Sequence, residues 1–139
     1  MGFHKDNIIL SGSQKDNNEV LNCDYFYITE GNTFEVLSLL RERGLDKIIK
    51  EAFKNGSNKV YIGASAGAMI SGESIAEAAS FERNFVKMSD YKGLCLYDGV
   101  IIPHYSKAEL KQYIKNTGID KKYKKIISVA NEKSVVLEV

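Results

Sequence analysis

The sequence predicts an α/β layered fold built on a largely parallel central sheet. Two observations carry this. Apolar, β-prone stretches alternate with stretches of helical apolar spacing through the middle of the chain, the signature of β-α units. The segments "TEGNT", "GASAG" and "PHYS" each fall at a predicted strand end, and "ANEKS" falls in the turn after "KIISVA". Parallel sheets collect their sites at the carboxyl ends of strands, so this placement also predicts a functional site.

In chain order, "NIILS" (7–11) is a short strand, and the polar stretch "SGSQKDNNE" (11–19) is a loop or helix start. "CDYFYIT" (23–29) is a stronger strand, rich in aromatic and β-branched residues. After "EGNT" a helix runs roughly from Thr33 to Asn55. Phe34, Val36, Leu37, Leu40, Leu45, Ile48, Ile49 and Phe53 mostly keep its helical spacing. Gly44 is placed to split this helix and Gly56 to stop it. "KVYIGA" (59–64) is a strand, and "AGAMISG" opens a helix. "DGVIIPHY" (98–105) holds a strand ended by Pro103. "SKAELKQYIKNTG" (106–118) is an amphipathic helix with Ser106 as N-cap and Gly118 as stop. "KIISVA" (125–130) and "SVVLEV" (134–139) are closing strands, a hairpin around "NEK".

A chain of 139 residues suits one compact domain, 1–139, with a real core. Its 44% hydrophobic and 27% charged content is that of an ordinary soluble globular protein. The net charge of +1 argues against nucleic acid or an anionic membrane as partner. No apolar run approaches the ~20 residues that span a bilayer. "MGFHKDNIIL" lacks the layout of a signal peptide, and Asp6 does not fit a myristoylation site. The cytoplasm is therefore the expected compartment. The two cysteines, Cys23 and Cys95, form no CxxC or Cys/His cluster, so both read as buried thiols and no metal is expected.

The run "VYIGASAGAMISG", from Val60 to Gly72, carries the chemistry. Gly63-Ala64-Ser65-Ala66-Gly67 matches the nucleophile-elbow pattern G-x-S-x-G, with a predicted strand before it and a helix after it. A serine on such a turn points its hydroxyl out of the sheet edge. The flanking glycines let backbone pass close by, and the Ala66 N–H at the helix start faces a developing oxyanion. The competing reading is a small-residue turn where helix and sheet pack closely, or an anion site at the helix N-terminus. A nucleophile needs a base. His4 lies in a polar segment near the start, whereas His104 follows "VIIP" at a strand end. Glu82, Asp90, Asp98 and Glu132 are the acids that can fix the base's tautomer, and Glu132 sits in a turn just after a strand. The Gly31 N–H in "TEGNTF" is a second oxyanion donor, in a segment that also reads as a capped helix start.

Together, "EGNTFEVLSLLRERGLDKII", "VYIGASAGAMI" and "GLCLYDGVIIPHYS" resemble peptidase family S51, the dipeptidase E or aspartyl dipeptidase group, whose relatives include cyanophycinase. The resemblance runs from about Asn22 to the C-terminus. It implies a three-layer α/β sandwich with a mostly parallel central sheet, related to class I glutamine amidotransferases. It implies a serine hydrolase that cleaves short peptides after an N-terminal aspartate, without a cofactor. By matching position, Ser65 is the nucleophile, His104 the base and Glu132 the acid, with Glu82 and then Asp90 as alternative acids. Gly31 and Ala66 supply the oxyanion N–H groups, and Asn32 belongs to the same substrate loop.

Three departures accompany the resemblance. Glu30 stands where the family usually has glycine, and a carboxylate there crowds or repels an acidic substrate. The segment after "PHYS" enters a lysine-rich helix directly, without the family's longer substrate loop. The chain also begins about where the family's second strand lies, so one N-terminal β-α unit is missing. A lost strand leaves an uncovered apolar face and predicts homo-oligomerisation. Two functions from different classes follow: a hydrolase of small peptides, or a catalytically impaired or non-catalytic module acting by binding or self-assembly. A cysteine enzyme using Cys95 fits poorly, because Cys95 sits in "KGLCLYDG" and not at an elbow.

Overall fold

The computed structural model describes residues 5–7, 9–10, 17–54 and 58–138. After a short 3-10 turn at Lys5–Asn7, α1 (Asn17–Leu21) leads into β1 (Tyr25–Ile28). Helices α2 (Thr33–Glu42) and α3 (Leu45–Ala52) follow, then β2 (Val60–Gly63) and α4 (Ala66–Ser71). The second part of the chain holds β3 (Val100–Pro103), α5 (Lys107–Thr117) and β4 (Ile126–Val129). Gly44 divides α2 from α3 as its position suggested, and its φ of 70° shows why glycine is there. The expected stop at Gly56 lies outside the described residues, as do His4 and, within "NIILS", Ile8 and Ser11. The described positions of that stretch, 7 and 9–10, are not strand.

Both strand pairs are parallel, as the β-α alternation requires. β1 pairs with β2 in the register Tyr25↔Val60 to Ile28↔Gly63, and β3 with β4 from Val100↔Ile126 to Pro103↔Val129. The expected single central sheet is, among the described residues, two two-stranded sheets. α4 bridges them, packing against β1, β2 and β3. Its Ala66, Gly67, Met69, Ile70 and Ser71 are all buried, so this short helix needs cover on every side. β3 begins against the C-terminal end of α4, where the Glu73 N–H donates to the Gly99 carbonyl at 2.9 Å. The segment 94–97 is fastened to the same helix end by the Leu94 N–H on Ile70 O and the Leu96 N–H on Ser71 O.

The main core joins Phe26, Phe34, Leu37, Ile49, Met69, Ile70, Ile75 and Leu94. A smaller cluster of Val100, Ile102, Ile119 and Tyr123 lies under α5. The two halves are tied by side chains. The Tyr113 hydroxyl of α5 donates to Glu77 Oε2 at 2.6 Å, and Lys122 Nζ lies 3.4 Å from Glu77 Oε1. Burial, reinforced by Glu77, pushes the Tyr113 phenol up to about 12, so it remains a donor.

The hairpin expected around "NEK" does not form. Residues 134–138 carry no strand, and Val136 is 91% exposed. "SVVLEV" has strand propensity but pairs with no strand among the described residues, and propensity without pairing does not make a strand. Cys95, expected buried, is exposed, while Cys23 is half-buried; both are free thiols. No helix among the described residues is long and apolar enough to cross a membrane.

Candidate active site

Parallel pairing sends the loops after β1 and β2 out of the same sheet edge. Ile28 is opposite Gly63, and the Ala64 N–H continues the ladder to Ile28 O at 3.0 Å. The chain then turns sharply at Ser65, whose φ of 49° and ψ of −106° lie where non-glycine residues seldom sit. Ser65 is the N-cap of α4, yet its side chain makes no capping bond. Its hydroxyl is left for another partner.

The glycines of "GASAG" are explained by distance. A Cβ on Gly63 would lie 2.7 Å from the Gly67 carbonyl, and one on Gly67 only 2.1 Å from Ile28 O. Helix α4 therefore starts directly against β1 and β2, with no room for side chains between. Tyr61 locks this contact by donating its hydroxyl to Gly67 O at 2.7 Å, and burial pushes its phenol upward.

The partner of Ser65 comes from the other sheet. The His104 N–H extends the β3–β4 ladder to Val129 O at 2.8 Å. The backbone then turns through a φ of 66° at His104. Its Nε2 lies 2.9 Å from Ser65 Oγ. Its Nδ1 lies 2.7 Å from Asn131 Oδ1, in the turn after β4 that the Lys133 N–H closes on Ala130 O. Ser65, His104 and Asn131 thus form a continuous chain of hydrogen bonds.

The remaining expected residues divide. The group on His104 Nδ1 is the Asn131 amide and not the carboxylate of Glu132. Glu132 is exposed, and its φ of 59° marks the left-handed position of that turn. Glu82 caps α2, accepting from the Thr33 N–H at 2.5 Å and the Thr33 hydroxyl at 3.0 Å. Asp90 accepts from the Lys92 N–H and pairs with Arg41 at 3.1 Å. The Lys92 N–H, with Arg41 behind it, holds its carboxyl below the usual range. Both alternative acids are therefore engaged in structural contacts, and neither is the group on His104 Nδ1.

Asn32 is the N-cap of α2, accepting from the Phe34 and Glu35 N–H groups. Its Nδ2 donates to Arg83 O at 2.9 Å, which ties the loop after β1 to the segment that carries Glu82. Gly31 precedes it with a φ of 146°, and a Cβ there would press on Val36 Cγ2 at 3.1 Å. Ala66 is fully buried as the first residue of α4, so no carbonyl within that helix accepts its N–H. Asn131 was missed because the turn offers an acid next door. Its signal was available: an amide oxygen accepts from an imidazole N–H as a carboxylate does. Among the described residues, no group of three or more His, Cys, Asp or Glu side chains is placed to hold a metal ion.

Comparison with known proteins identifies the family. The model of peptidase family S51 matches residues 2–138. An uncharacterized peptidase of Listeria monocytogenes is 38% identical over 91 residues, covering 64% of this chain and 43% of the relative. Peptidase E of Escherichia coli is 30% identical over 115 residues, covering 83% of this chain and 48% of the relative. The crystal structure of a peptidase E-like protein of Listeria monocytogenes EGD-e superposes with a TM-score of 0.64 at 33% identity. It covers 83% of this chain and 55% of that one. The chain spans about half the length of the relatives it matches. On a family match along nearly the whole sequence, the chain belongs to peptidase family S51.

Proposed function

We propose that this chain is a serine-type peptidase acting on small peptides, with Ser65 as nucleophile and His104 as general base. The observation that carries the reading is the 2.9 Å contact between Ser65 Oγ and His104 Nε2, made by a serine on a left-handed elbow. As Oγ attacks the scissile carbonyl carbon, its proton passes to Nε2. The Gly31 and Ala66 N–H groups receive the oxyanion. When the C–N bond breaks, the imidazolium gives its proton to the leaving amine and an acyl ester remains on Ser65. Water then attacks the ester, its proton again going to His104, and the carboxylic acid leaves as Ser65 regains its hydrogen. Aspartyl dipeptides are the first substrates to try, on the strength of the family. The three-layer, glutamine amidotransferase-like sandwich and the cytoplasmic location belong to the same proposal.

Intact-mass analysis after treatment with a fluorophosphonate tests this. One adduct per chain is expected, absent from Ser65→Ala. A folded protein that takes no label sinks the reading.

A second reading, self-assembly through the sheet face, is favoured by one observation. The outward side chains of the β1–β2 pair, Tyr25, Tyr27, Val60 and Ile62, are 42–64% exposed. Together they make an apolar stripe on one face.

A further inference from the structure

We infer that Asn131 is the third member of this site: a positioning residue that sets the tautomer of His104 with a neutral amide in place of a carboxylate. The inference rests on the serine-peptidase reading and adds to it the group that prepares the base. A neutral imidazole has one N–H and one lone pair. For Nε2 to accept the Ser65 proton, the hydrogen must sit on Nδ1. An amide oxygen 2.7 Å from Nδ1 holds it there. The reverse arrangement, with the Asn131 amide nitrogen donating to Nδ1, would put the hydrogen on Nε2 and leave Ser65 without a base.

The fold keeps this contact in place. Pro103 is in register with Val129, so His104 and Asn131 leave one parallel ladder at the same edge. The His104 N–H on Val129 O and the Lys133 N–H on Ala130 O fix the two turns. The acids that sequence offered are taken up or turned aside. Glu82 holds Thr33, Asp90 holds Arg41, and Glu132 occupies the left-handed position. A neutral amide orients the ring but gives less stabilisation to the imidazolium that forms during the reaction than a carboxylate does. Replacing Asn131 by aspartate therefore keeps the tautomer and adds charge stabilisation.

Nitrogen-15 NMR of the full chain reads the tautomer directly, because the chain has only two histidines. His104→Gln assigns the signals. The wild type is expected as the Nδ1–H tautomer, and Asn131→Ala as a mixture weighted toward Nε2–H. Fluorophosphonate labelling of Ser65 should slow about a hundredfold in Asn131→Ala. In Asn131→Asp it should run at least as fast as in wild type. A wild-type Nε2–H tautomer overturns the inference, and so does a tautomer unchanged in folded Asn131→Ala. If Asn131→Ala does not fold, the wild-type tautomer and the Asn131→Asp rate decide the matter, and a slower Asn131→Asp counts against it. Failure of wild-type labelling with the Nδ1–H tautomer present would remove the peptidase reading and leave the positioning role standing.

Discussion

At Ser65 the backbone and the side chain serve one purpose. The left-handed turn spends no hydroxyl on capping α4, so Oγ is free to meet His104. Residues that act as a unit lose function as a unit. Ser65→Ala and His104→Ala are each expected to lower kcat by about a thousandfold or more, and the double variant by no more than either alone. Steady-state kinetics on a dipeptide that the wild type turns over checks this; independent, additive losses would show that the two do not cooperate. Gly67 makes a prediction of a different kind. The Cβ of Gly67→Ala would collide with the backbone of β1 and not with a movable side chain. Overpacking of this kind should destabilise the fold by about 3 kcal/mol, read as a lower urea midpoint. A midpoint equal to wild type would mean that α4 can slide away from β1.

At the scale of elements, α5 shows how local chemistry fixes the chain that follows His104. Ser106 and Glu109 form a reciprocal capping box immediately after His104, and Gly118 closes the helix in the left-handed region. Removing the cap by Ser106→Ala should destabilise the protein by about 1 kcal/mol near neutral pH. The effect depends on pH. The hydrogen bonds from Ser106 hold the Glu109 carboxyl below its usual range, so its contribution is present above the ordinary glutamate value. That contribution fades as pH falls through the depressed folded value. Urea titrations at neutral and acid pH should therefore show the difference between Ser106→Ala and wild type shrinking in acid. A difference that grows in acid would reverse the assigned role of Glu109.

At the scale of the whole molecule, the site exists because α4 holds two parallel pairs against each other. Ser65 comes from the end of β2 and His104 from the end of β3, and no strand ladder joins those two among the described residues. The same architecture leaves the outer face of β1–β2 apolar: Phe26 points into the core while Tyr25 and Tyr27 face out. Association through that face should appear in sedimentation velocity as a weight-average mass rising with concentration. Tyr27→Lys or Ile62→Lys should suppress it. A wild type that stays monomeric at high concentration would show that the stripe does not drive assembly.

The sequence by itself determined the α/β class, the parallel pairing, the split at Gly44, the capped α5, and the placing of Ser65 and His104 at strand ends. Each of these depends on local rules. Strand and helix periods alternate, glycine and serine mark the ends, and parallel strands send their loops to one edge. Only the tertiary structure decided which neighbour of "ANEKS" faces the imidazole, because Asn131 and Glu132 differ by one step in a turn whose left-handed position falls on Glu132. It also decided that the strands form two pairs, that Ser65 and His104 meet across them, and that "SVVLEV" stays unpaired, since strand propensity alone does not bring a segment to a partner. Glu82 and Asp90 were candidates by residue type. Long-range contacts with Thr33 and Arg41 made them braces, and contacts across about fifty residues leave no local pattern to read.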